Sequence, residues 1–181
     1  PFDGIVNPSG QRPARRWRRR ALAVLIAPTD AARENDVQIT QGLRRALQVN
    51  ADGIATIFGD RRHTYRQFAE RVARLAGALA ELGVARGDRV AALALNSDRY
   101  LEYFFACWSM GAVAVPINTR WSPREQTDAL QDSGSALLLV DEAFAEVADE
   151  LRKGCPGIRE VVYMGDGGAG PRMHAYEEIV A

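Results

Sequence analysis

The sequence predicts an α/β domain, a layered parallel sheet with helices on both faces. Three observations lead there. Residues 90–95 (VAALAL) and 136–140 (ALLLV) are apolar runs without alternation, the pattern of strands buried on both faces. Helical segments with apolar residues every three or four positions separate the runs, opened by capping residues and closed by glycine. Strand, helix, strand at this spacing requires parallel pairing through right-handed crossovers. Helices then lie on both faces.

Element by element, residues 39–49 place Ile39, Leu43, Ala46 and Leu47 at helical spacing, which predicts a short amphipathic helix. Residues 55–58 and 62–65 flank Gly59 and Asp60 and read as a hairpin. Thr64 and Gln67 form a capping box, after which Phe68, Val72, Leu75, Leu79 and Leu82 mark a long helix. Gly83 is its stop, with Val84 supplying the accompanying hydrophobic contact. After strand 90–95, Asn96 and Ser97 open a helix that runs to Met110 and is closed by Gly111. Residues 112–115 read as a strand buried on both faces, ended by Pro116. Ser122, Pro123 and Glu125 give a second capping box, with proline at the first helical position. That helix ends near Ser133 and Gly134, before strand 136–140. Asp141 is expected to cap a helix over 143–151, broken by Gly154 and Pro156, and 160–163 is a further strand.

The 181 residues suffice for one domain or most of one, and formal net charge is zero. Six arginines fall within 12–20, ahead of the apolar run ALAVLIA at 21–27. Pro28 breaks that run, so it does not read as an export signal. Residues 1–36 are therefore expected to be a disordered or non-native extension, and 37–181 the folded unit, with a natural start near Val37. Seven of the 23 basic and four of the 23 acidic residues lie in 1–36, which leaves the rest mildly acidic and argues against nucleic-acid binding. Cys107 and Cys155 make neither a disulfide framework nor a metal site, and fit a reducing, cytoplasmic compartment. No apolar run approaches a membrane span.

Few residues suggest chemistry directly. His63 and His174 lack metal-ligand spacing. Tyr100, Tyr103, Phe104, Phe105 and Trp108 read as core packing on one helix. Arg120 and Trp121 follow a strand's carboxyl end, where α/β folds place ligands, and read as surface loop. The string GDGGAG, from Gly165 to Gly170, matches G-x-G-x-x-G after a strand. Pro171 follows it directly and no helix starts inside it, so it reads as a surface loop.

Four patches in register carry a family resemblance. They are His63 to Phe68 (HTYRQF), residues 84–95 (VARGDRVAALAL) with Asn96 and Ser97, residues 111–125 (GAVAVPINTRWSPRE), and 128–141 (DALQDSGSALLLVD). Together these resemble the core motifs at the start of the adenylate-forming (AMP-binding) enzymes, which include the AMP-forming acyl-CoA synthetases. The resemblance covers roughly residues 38–164 and implies a partial N-terminal domain of such an enzyme. It implies the joining of a carboxylic acid to ATP with Mg²⁺, then transfer of the acyl group to coenzyme A, with fatty-acid-type substrates favoured by PINTRWSPRE. The family's Ser/Thr/Gly-rich phosphate loop ending in lysine has no counterpart here, since Lys153 is the only lysine and has no hydroxyl cluster beside it. The chain is therefore expected to stop just before that loop, to be inactive alone, and to bind none of these cofactors. No catalytic, cofactor-binding or metal residue is assigned. Two other readings stay open: a non-catalytic binding or regulatory module on the same scaffold, and an unrelated flavodoxin-like nucleotide-binding domain.

Overall fold

The computed structural model describes residues 39–181; the expected extension over 1–36 lies outside the described residues. The chain forms α1 (Gln41–Asn50), then a hairpin of β1 (Ile54–Phe58) and β2 (Arg61–Thr64), then α2 (Tyr65–Glu81). It continues through β3 (Arg89–Leu93), α3 (Asp98–Met110), β4 (Val113–Pro116), α4 (Pro123–Ser133) and β5 (Leu137–Val140). The last elements are α5 (Ala148–Gly154), β6 (Glu160–Tyr163), β7 (His174–Ala175) and α6 (Tyr176–Ile179). β1 and β2 pair antiparallel as a separate ribbon. The other five strands form one parallel sheet in the order β4-β3-β5-β6-β7.

Alternation within the buried strands builds two apolar layers. Val90, Ala92, Leu137, Leu139 and Val162 face the helices α1, α2, α3 and α6. Ala91, Leu93, Leu138, Val140 and Val161 face Leu130 of α4 and Ala148 and Leu151 of α5. The helices thus cover both faces, as the sequence predicts. Among the described residues no helix is long and apolar enough to cross a membrane.

Local chemistry sets the helix ends. Both capping boxes form: Thr64 accepts from the Gln67 N–H and Ser122 from the Glu125 N–H, while each partner side chain returns to the cap backbone. At the other ends, the Val84 N–H reaches the Leu79 carbonyl and the Ala112 N–H the Cys107 carbonyl, both at 2.9 Å. These closures place Gly83 and Gly111 in the left-handed region, with φ of 86° and 74°. Gly111→Ala is expected to cost about 1–2 kcal/mol of stability through that φ alone. The Arg86 side chain, whose nearest atom would lie 3.0 Å from the added Cβ, resists it further. An unchanged urea midpoint would refute this account of the turn.

Four expectations need correction. β4 is an edge strand, not one buried on both faces, and Val113 is 48% exposed. A short Ala/Val run records low polarity but not a strand's place in the sheet, and Pro116 at the end of β4 suits an edge. β3 ends at Leu93, and Leu95 is exposed in the loop beyond. Asp141 does not cap a helix over 143–151. Its carboxylate is shared between the N–H groups of Ala143 and Leu95, the chain then turns through tight bonds, and α5 starts only at Ala148 and includes Gly154. Ile39 lies ahead of α1 and is exposed, so Leu43 is the helix's buried contact.

Candidate functional site

At the carboxyl ends of the strands, where α/β sheets hold ligands, the loop after β6 and the helices α3 and α6 surround a cleft of about 590 Å³. Arg99, Tyr163, Tyr176, Glu177 and the glycine-rich loop line it. Beside it lies a continuous ion cluster joining five parts of the chain. Arg61 of β2 grips Asp98, at the first turn of α3, through Nε and Nη2 at 2.9 Å each. Its Nη1 reaches Asp166 of the loop at 2.6 Å. Arg99 continues the chain of charges, with Nη2 2.8 Å from Asp166, Nε 2.9 Å from Glu177 of α6, and Nη1 donating to the Met164 carbonyl. Arg71 of α2 closes it, bonding Glu177 through both terminal nitrogens and Glu102 of α3 through Nε at 2.6 Å.

Glu102 is completely buried, and its second oxygen accepts the Tyr176 hydroxyl at 2.6 Å. The guanidinium groups of Arg71 and Arg99 each lie over the Tyr176 ring. Burial of this kind is tolerable only because every partner is present. Electrostatics follow the geometry. Burial pushes the Asp98 carboxyl up, but the two bonds from Arg61 outweigh it and hold it below the ordinary range. Asp166 is held low by its bond to Arg61 and by the Arg99 charge, and Glu177 by its bonds to Arg71. Burial, then the Glu102 charge, raises the Tyr176 phenol well above its usual value.

The structure does not bring the sequence's candidate residues together. His63 sits in β2, its Nδ1 3.5 Å from Thr56 Oγ1 and 3.8 Å from Asp98. Hydroxyl, imidazole and carboxylate look like a relay, but both neighbours meet the same nitrogen, whereas a relay needs opposite ones. His174 is in β7, bonded to Glu160 at 2.8 Å. No group of three possible metal ligands exists among the described residues. Lys153 is in the last turn of α5, which leads into the amino end of β6, away from the cleft. Arg120 and Trp121 are exposed on the loop after β4 and do not line the cleft. The α3 aromatics pack among themselves and against Phe68, with Phe105 at 5.4 Å from its ring. Cys107 and Cys155 are free and buried, and burial pushes the Cys107 thiol up to about 12.

The string GDGGAG is a loop, as expected. No helix starts within it, and Glu142 accepts the N–H groups of Asp166 and Gly167, the positions a phosphate would use. The cluster around it was missed from sequence. One signal existed, a glutamate at 102 among the aromatic and apolar residues that follow the charged first turn of α3.

A parallel sheet with β4 and β5 flanking β3, two helical layers and a cleft at the strand ends define a doubly wound α/β scaffold. The family model described as AMP-binding enzyme matches residues 43–178, and the chain belongs to that family. It is 42% identical over 110 residues to a feruloyl-CoA synthase from Amycolatopsis, covering 61% of this chain and 22% of that one. To the long-chain-fatty-acid–CoA ligase FadD13 of Mycobacterium tuberculosis it is 43% identical over 93 residues, 51% of this chain and 18% of the relative. Among solved structures, the anthranilate CoA ligase AuaEII in complex with anthranoyl-AMP superposes with a TM-score of 0.70 at 29% identity, over 76% of this chain and 26% of that one. The chain therefore spans about a fifth of the length of the relatives it matches. Family membership removes the reading as an unrelated flavodoxin-like domain, although the strand order is of that kind.

Proposed function

We propose that residues 37–181 are the N-terminal scaffold of an AMP-forming acid–CoA ligase. In the whole enzyme a carboxylate attacks the α-phosphate of ATP, pyrophosphate leaves, and the thiol of coenzyme A then displaces AMP to give the thioester. The family match over residues 43–178 carries this reading. A fatty-acid-type substrate is favoured by the PINTRWSPRE segment and the similarity to FadD13. Mg²⁺ beside ATP and a cytoplasmic setting complete the proposal, with residues 1–36 as an extension outside the unit.

Among the described residues, the lining of the cleft does not suit the phosphates of ATP. Arg99 in the cleft and Arg61 and Arg71 in the adjoining cluster are matched by carboxylates, the loop's N–H groups already donate to Glu142, and no lysine lines the cavity. Calorimetric titration of the chain with ATP and Mg²⁺ is expected to show no binding, and ATP–pyrophosphate exchange with long-chain fatty acids no turnover. Saturable ATP binding would overturn the assignment of the chain as scaffold alone.

A further inference from the structure

We propose that the glycine-rich loop at 165–172 is a lid on the cleft, with the Asp166 side chain as its releasable latch. The inference does not depend on the ligase reading. No residue from 165 to 172 is buried, and the loop's close contact with the interior is Gly165 and Gly167 against the Tyr163 ring and hydroxyl. Polar fasteners add to it. Glu142 accepts the N–H groups of Asp166 and Gly167, and Asp166 bridges Arg61 Nη1 at 2.6 Å and Arg99 Nη2 at 2.8 Å.

The latch is weak by construction. Four carboxylates of the cluster (Asp98, Glu102, Asp166 and Glu177) share three guanidinium groups, and Asp166 is the most exposed, with 62% of its side chain accessible against 1%, 0% and 49% for the others. When Asp166 leaves, Arg61 keeps both bonds to Asp98 and Arg99 keeps Glu177, so the remaining cluster is charge-balanced. An exposed, surplus partner is also the one most readily screened by salt. Backbone geometry supplies the pivots. Gly165 lies so close to Tyr163 and Glu142 that a Cβ would collide with both. At the far end Arg172 sits at φ 66°, a left-handed conformation that a side chain opposes. Opening uncovers Tyr163, which the closed loop leaves 5% exposed.

Hydrogen exchange on the 181-residue chain tests this, read at the amides of Asp166 and Gly167, with Leu138 and Leu139 of β5 as reference. Asp166→Asn is expected to speed exchange at the two loop amides at least tenfold and leave β5 unchanged. Raising salt from low to about 1 M on the unmodified chain, where charges are screened within about 3 Å, should act in the same direction. Unchanged loop amides in both arms would overturn the lid. So would equal acceleration in loop and β5, because the bridge would then support the whole fold. If the variant does not fold, the salt series on the unmodified chain decides alone.

Discussion

Replacing Glu102 with leucine is expected to destabilise the fold by about 3–5 kcal/mol, the usual result of removing one partner from a buried ion pair. Leucine fills the volume but leaves two groups stranded. Arg71 loses a 2.6 Å partner while its side chain is only 16% exposed, and the buried Tyr176 hydroxyl loses its acceptor. Domains of this kind have about 5–15 kcal/mol in total, so the variant should sit near the edge of unfolding. Urea denaturation of wild type, Glu102→Leu and Glu102→Gln separates the contributions. Glutamine keeps an acceptor for Tyr176 and loses only the charge, so it should fall between the other two. A loss below about 1 kcal/mol in the leucine variant would mean that Glu177 satisfies Arg71 by itself and that the buried Glu102 carboxylate is dispensable for stability.

The second large effect is expected at Tyr103. In the parallel ladder the N–H groups of Val113 and Ile117 bond directly to the carbonyls of Asp88 and Ala92. Between them the Val115 N–H donates to the Tyr103 hydroxyl at 2.8 Å, and that hydroxyl donates to the Val90 carbonyl at 2.7 Å. A side chain from α3 is thus inserted as one rung of the β3–β4 ladder. Tyr103→Phe removes the rung and leaves a donor and an acceptor facing a gap, at about 1–3 kcal/mol for each group left unmet. Denaturation measures the loss, and amide exchange at Val115 locates it. Unaltered stability with a protected Val115 amide would show that the strands close up unaided.

How much of this was legible depended on range along the chain. The capping boxes at Thr64 and Ser122 and the glycine stops at 83 and 111 involve neighbours a few positions apart, so the letters announce them and the structure contains them. Strands β3, β5 and β6 were legible because burial on both faces leaves a continuous apolar run. The exposure of β4 was not, since nothing in residues 112–115 says that one flank lacks a neighbour. Asp141 misled for a related reason. It has the chemistry of a helix cap, but the N–H of Leu95, in the loop after β3, competes for the same carboxylate at 2.7 Å. The ion cluster was the least legible part. Arg71 and Glu177 are 106 positions apart, and only the fold brings their charges together.

The rung supplied by Tyr103 also bears on the order in which the domain assembles. β4 cannot complete its pairing with β3 until α3 lies on the sheet, because part of the seam belongs to the helix. Pairing of the edge strand is conditional on docking of the helix, rather than the helix settling on a finished sheet.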